Sequence, residues 1–185
     1  MSTAAGRQVA LLRGVNVGTA KRVAMADLRA LVESLGYTDV RTLLNSGNVV
    51  FTAAGVAPAA AAARIGEALA ARLGVSAMVV ALAAEELATA VADNPLARVA
   101  DNPSRLLVAV PADRQASTHL QPLLEQDWRP EALALGPRVA YLWCPEGVIA
   151  SRVSAAVGRA LGDAVTSRNW ATMTKLQALA AEGRG

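Results

Sequence analysis

The chain is poor in the residues that most often carry covalent and metal chemistry: its 185 residues include one cysteine and one histidine. Cys144 alone cannot close an intramolecular disulfide, and nothing in the cysteine usage argues for export. One thiol and one imidazole cannot complete a three- or four-ligand site, so no metal is expected, and no cofactor is implied. His119 falls in a helical stretch away from every polar cluster, which weakens any Ser-His-Asp or Cys-His arrangement. Cys144 lies at a strand end between Trp143 and Pro145 and reads as a buried structural thiol. No pair of carboxylates falls within the polar clusters, which leaves general acid/base work without an obvious candidate. Aromatic residues are 3% of the chain. The first expected strand has none, the third only Phe51, and Tyr141 and Trp143 share one face in the second half. That is too little for a sheet that stacks RNA bases.

Long hydrophobic runs are also missing. No stretch approaches the roughly 18 apolar residues that span a bilayer, so no membrane partner is expected, although 54% of the chain is apolar. Met1 to Arg7 has no charged segment followed by an apolar one, which predicts a cytoplasmic location rather than secretion. The formal charge is only +3, and the basic residues are spread singly. Nucleic-acid binders concentrate basic charge on one face, so this composition disfavours nucleic acid and favours a solvated basic surface.

What is present is a repeated switching of hydrophobic period. Gln8 to Leu12 reads as a buried strand, Met25 to Leu35 as a helix stopped by Gly36, and Val40 to Leu44 with Val49 to Phe51 as a hairpin. A helix from Ala59 to Leu73 and a strand from Ala77 to Leu82 complete a β-α-β-β-α-β order. After a linking helix, Glu85 to Ala92, the order recurs. Its parts are a strand Leu106 to Val110, a helix Gln115 to Gln126 interrupted near Pro122, a hairpin of Glu131 to Leu135 and Arg138 to Trp143, a helix Ser151 to Leu161, and a short strand Ala164 to Thr166. A terminal helix runs from Trp170 to Ala180. The expected fold is α+β: two tandem ferredoxin-like halves with antiparallel sheets and a C-terminal helix, divided as residues 1–83 and 84–185.

Three polar stretches interrupt this pattern: Arg13 to Gly18, Asn45 to Asn48, and Ser167 to Trp170. Each is expected at the end of a strand, where free N–H groups and side chains collect ligands. Neither glycine spacing is a Walker loop or a dinucleotide fingerprint. Plainer roles stay open for each. Asn45-Ser46-Gly47-Asn48 is good hairpin-turn chemistry. Arg13 needs either an internal carboxylate such as Asp27 or an incoming anion. Trp170 fits a core plug or a stacking platform.

Arg13-Gly14-Val15-Asn16-Val17-Gly18, Met25-Ala26-Asp27-Leu28-Arg29, Ser46-Gly47-Asn48-Val49-Val50-Phe51, Ser167-Arg168-Asn169-Trp170 and Thr174-Lys175-Leu176 occur in that order. In these strings, spread from about residue 8 to residue 179, the chain resembles the bacterial family catalogued as domain of unknown function 1697. The resemblance implies a fold and a site position, not a reaction. The chain departs from the family's usual pattern at Thr19, where a second glycine is common, and at Arg152-Val153 after Ser151.

Parallel first and second strands bring the first loop and the hairpin turn to one sheet edge. Arg13, Asn16, Asn45, Ser46 and Asn48 should therefore be neighbours. In the second half Ser151 and Arg152 should lie near Arg168, Asn169 and Trp170, with Lys175 on the terminal helix. Antiparallel packing of the halves would join both clusters in one cleft. Arginine, lysine, amide and hydroxyl groups recognise anions better than they break bonds. The expected function is binding of a small anionic or phosphorylated ligand. The alternatives are an enzyme acting on such a ligand, with Ser46, Ser167 or Lys175 near the reacting group, and a nucleic-acid or protein interaction module. The sequence sets no oligomeric state.

Overall fold

In the computed structural model, residues 6–19 and 21–182 are described; most of the N-terminal segment considered above as a signal lies outside them. Strand β1 (Arg7–Leu12) leads to helix α1 (Met25–Ser34), the hairpin of β2 (Thr38–Leu43) and β3 (Asn48–Thr52), α2 (Pro58–Leu73) and β4 (Val79–Ala83). Helix α3 (Ala84–Ala92) then leads to β5 (Leu106–Pro111), α4 (Arg114–Thr118) and a short 3-10 helix (Gln121–Glu125). The hairpin of β6 (Ala132–Leu135) and β7 (Ala140–Trp143), α5 (Arg152–Leu161), β8 (Val165–Asn169) and α6 (Trp170–Ala181) follow. The protein is α+β, with two four-stranded antiparallel sheets in the orders β2-β3-β1-β4 and β6-β7-β5-β8. No helix among the described residues is long and apolar enough to cross a membrane.

The chain divides into two compact units. One runs to Leu87 and resumes at Leu176; the other is Ala88–Lys175. The first of these units takes in the start of α3 and the last turns of α6.

In the first unit, α1 buries Leu28, Leu31 and Val32, one stripe at helical spacing. Helix α2 begins with Pro58, whose fixed φ and missing N–H suit a first turn, and ends at Gly74 in the left-handed region, φ 64°. Both helices pack on the sheet face formed by Ala10, Leu12, Val49 and Phe51, where Tyr37 stacks on Phe51 with ring centroids 5.1 Å apart. The alternate residues Val9, Leu11, Val50 and Leu82 are buried as well. Burial on both faces is why β1 reads as an unbroken apolar run. At the other end of β1, buried Arg7 pairs with Asp39 at 2.7 Å; Asp39 also meets Arg41 at 3.3 Å, and Arg41 meets Glu182 at 3.0 Å.

In the second unit, Val153, Val157 and Leu161 of α5 pack with Ala109, Leu120, Ala140, Leu142 and Cys144. On the opposite face the Tyr141 hydroxyl donates to the Ala90 carbonyl at 2.6 Å, tying α3 to β7.

Two expectations need correction. The helix expected over Gln115 to Gln126 is two short pieces, because Pro122 lacks the N–H to continue α4 and instead opens the 3-10 turn. The strand expected to stop at Thr166 continues to Asn169, pairing Ala109 with Ser167, Val108 with Arg168 and Leu107 with Asn169. Strand β8 is a sheet edge, where polar side chains are tolerated and the apolar signal is weak.

Candidate functional site

The register sets three segments beside the carboxyl end of β1: Leu11 faces Asn48 of β3, and Leu12 faces Val79 of β4. The β1–α1 loop and the β2–β3 turn therefore share one sheet edge, as the topology requires. Backbone bonds fix them there. The Leu12 N–H donates to the Gly47 carbonyl and the Arg13 N–H to the Met78 carbonyl, both at 2.9 Å. Gly47 has φ +80°, and a Cβ on it would lie 2.7 Å from Val15 Cγ2 and 2.8 Å from Leu12 Cβ. Only glycine lets the turn approach the loop this closely.

Asn16 closes the loop and ties it to the turn. Its backbone is left-handed, φ 55°, a conformation asparagine tolerates. Its Nδ2 donates to the Val23 carbonyl at 2.7 Å and to the Asn45 carbonyl at 2.8 Å, while its Oδ1 accepts from the Val23 N–H at 2.8 Å. Asn45 and Ser46 are exposed on the turn. Asn48 is buried, and its Nδ2 donates to the Leu43 carbonyl and to Ser46 Oγ, both at 2.9 Å. That amide braces the hairpin. Arg13 is half-buried at the base of the loop. Lys21 and Arg22, absent from the expected site residues, are exposed on the same loop, and Arg22 donates to the Gly18 carbonyl at 2.6 Å. From Arg13 to Ala24 the chain carries these three cations and no carboxylate. The one-signed charge of that segment was the signal that could have found Lys21 and Arg22.

In the second unit the expected residues divide. Ser151 caps α5, accepting from the Ser154 N–H at 3.0 Å, and donates to Glu131 Oε2 at 2.6 Å. Glu131 also accepts from the N–H groups of Arg152 at 3.0 Å and Val153 at 2.9 Å. A carboxylate of the chain itself thus sits at this helix start, where an anion is favoured. Burial pushes the Glu131 carboxyl up, but the Ser151, Val153 and Arg152 donors outweigh it and hold it below its ordinary range. Arg152 further donates to the Trp128 carbonyl at 3.0 Å and lies over the Trp128 ring, 5.8 Å from its centroid.

Asn169 caps α6, accepting from the Thr172 N–H at 2.9 Å. Trp170 is half-buried in the first turn and Lys175 is exposed. Arg168 donates to Thr166 Oγ1 and to the Ser167 carbonyl, both at 2.9 Å, and burial pushes its guanidinium down to about 10. Ser151 and Asn169 share a sheet end, but they flank opposite edges. Glu131 precedes β6, while Asn169 ends β8, three strands away in the order β6-β7-β5-β8. At about 4.8 Å per strand that is roughly 14 Å. Ser151 is thus tied to the β6 edge through Glu131, while Asn169 lies at the β8 edge.

Other chemistry finds little here. Cys144 is buried, and burial pushes its thiol up, away from the thiolate a nucleophile needs. Among the described residues no group of three His, Cys, Asp or Glu could hold a metal ion. Phe51, Tyr141 and Trp143 are all buried, so their rings present no stacking surface on either sheet.

No curated protein matches the chain. Among solved structures it is similar to the conserved bacterial protein SP0830 from Streptococcus pneumoniae, at 20% identity and a TM-score of 0.73, over 94% of this chain and 98% of that one. At that identity the likeness speaks for the fold alone. The model of the family described as "Protein of unknown function (DUF1697)" matches residues 6–141, which takes in the whole first cluster and leaves Ser151 and Arg168 to Lys175 beyond it. With most of its length matched, the chain belongs to the DUF1697 family of proteins of unknown function.

Proposed function

We propose that this chain is a cytoplasmic protein of two ferredoxin-like halves that binds a small anionic or phosphorylated ligand at the carboxyl edge of β1. The matching strand orders of the two sheets support the ferredoxin-like reading. The binding reading rests on one observation: a loop with three cations and no carboxylate, held by Asn16 against the Asn45–Ser46 turn. Such a loop gathers positive potential at a fixed place, and arginine adds a planar fork of donors suited to phosphate oxygens. The exposed Asn45 and Ser46 supply neutral polar groups beside it. In the second unit, Arg168, Asn169, Trp170 and Lys175 remain secondary candidates. An anion at Ser151 would have to displace Glu131.

The test is a thermal-shift screen of sugar phosphates, nucleotides and oligonucleotides, because a ligand bound only by the folded state raises the melting temperature. A hit is then titrated against Arg13→Met and a Lys21→Met/Arg22→Met pair. Each lost charge-assisted hydrogen bond should weaken binding by about 1.5–3 kcal/mol. Unchanged affinity in both variants would falsify this site.

A further inference from the structure

Two side chains at the same edge are not explained by folding. Leu44 has φ 57°, in the left-handed region that leucine rarely enters, and it is 54% exposed. A strained residue that also gains little by burial is a poor choice for a turn that asparagine or glycine would serve better. Val17, on the facing loop, is 65% exposed. Among the described residues, three of the four non-glycine positions with positive φ (Asn16, Lys21 and Leu44) lie at this edge, and strained backbone gathers at ligand sites. The 2.8 Å bond from Asn16 to Asn45 joins the two segments one residue away from Val17 and Leu44.

Resting on the anion-binding reading above, we propose that Val17 and Leu44 hold a flat apolar ring while Arg13, Lys21 and Arg22 hold a phosphate. The ligand class is then a nucleoside monophosphate, not a bare phosphate or a sugar phosphate. Charge and size both favour it. Val17 lies in sequence between Arg13 and the Lys21–Arg22 pair, in a loop without a carboxylate, which favours an occupant that is anionic as well as apolar. Two aliphatic side chains offer roughly a quarter of the ~800 Å² per partner that a specific protein interface uses, which suits one face of a base.

The test compares adenosine 5′-monophosphate with ribose 5-phosphate, which differ by the base, using calorimetric titration of the native chain and a Val17→Ser/Leu44→Asn variant. The native chain should bind the nucleotide about tenfold more tightly, because the cost of ordering ligand and side chains offsets most of the gain from the apolar area covered. The variant should bind both alike, keep the ribose 5-phosphate affinity, and melt no lower, since asparagine accepts a left-handed backbone. Equal native affinities overturn the inference and leave the anion reading standing; no binding of either compound overturns both. Unchanged nucleotide affinity in the variant also overturns it, as does a melting temperature lower by more than about 4 °C, which makes the two side chains packing residues. Binding of a single-stranded oligonucleotide without binding of the monophosphate overturns the small-molecule class.

Discussion

The side-chain amide of Asn16 donates to the backbone carbonyl of Asn45 at 2.8 Å, across a sequence separation of 29. One side chain thereby serves two loops, since the same amide also closes its own loop through Val23. Asn16→Ala removes three hydrogen bonds and a residue suited to its left-handed φ, so it should cost about 2–4 kcal/mol in a urea melt. Asn16→Asp keeps the bond from the Val23 N–H but turns an acceptor oxygen toward the Val23 and Asn45 carbonyls, so it should lose at least as much. A cost for the alanine variant below about 1 kcal/mol would show that the edge is held by something else.

Gly47 and Gly14 separate crowding from backbone strain. Both have positive φ, +80° and +68°, but a Cβ meets Val15 and Leu12 only at Gly47 and open space at Gly14. Gly14→Ala should cost about 1–2 kcal/mol, the left-handed penalty alone. Gly47→Ala should cost about 1–3 kcal/mol more, because Leu12 and Val15 must move. Equal losses in parallel denaturation curves would refute the close approach.

Glu131 makes the stability of the second unit depend on pH. Its folded value is depressed, so its contribution is present above the unfolded value of about 4.3 and is lost as pH falls through the folded one. Glu131→Gln should cost about 1–3 kcal/mol at pH 7 by weakening bonds to three donors. The native and variant curves should converge in acid. A gap that stays constant down to pH 3 or so would contradict the linkage.

Asp39→Asn is a clean probe of buried Arg7. Asp39 has φ 48°, which asparagine tolerates, so the change removes charge with little backbone cost. Arg7 is buried, whereas the Asp39 side chain is 39% exposed. The loss should therefore fall below the 3–5 kcal/mol of a fully buried pair, at about 1–3 kcal/mol. The midpoint of guanidinium denaturation reads it, and no change would mean that water already serves the guanidinium.

The order of elements was legible because period switches survive a high alanine content. The apolar triplet Leu28, Leu31 and Val32 and the run from Gln8 to Leu12 each have one reading. The end of β8 was not legible, because Ser167, Arg168 and Asn169 pair only with β5 and carry no apolar signature. The first cluster was legible through topology, since the loop and the hairpin turn must share an edge whichever side chains they carry. The partner of Ser151 was not: Glu131 lies 20 positions earlier, and no local pattern links them. Asn48 illustrates the same limit from the other direction, since a turn asparagine and a ligand-binding asparagine look alike until its bonds to Leu43 and Ser46 are seen.

The return of the chain to its first unit after Leu176, with Glu182 reaching Arg41 at 3.0 Å, sets an order on biosynthesis. Residues up to Leu87 leave the ribosome early, but their unit lacks a segment made only after the whole of Ala88–Lys175. The first unit is then without that segment while the second is translated. A nascent chain stalled before Leu176 should lack this closing segment, in which Leu176 and Ala180 are both buried once the fold is complete, and should engage chaperones more than the full-length chain does.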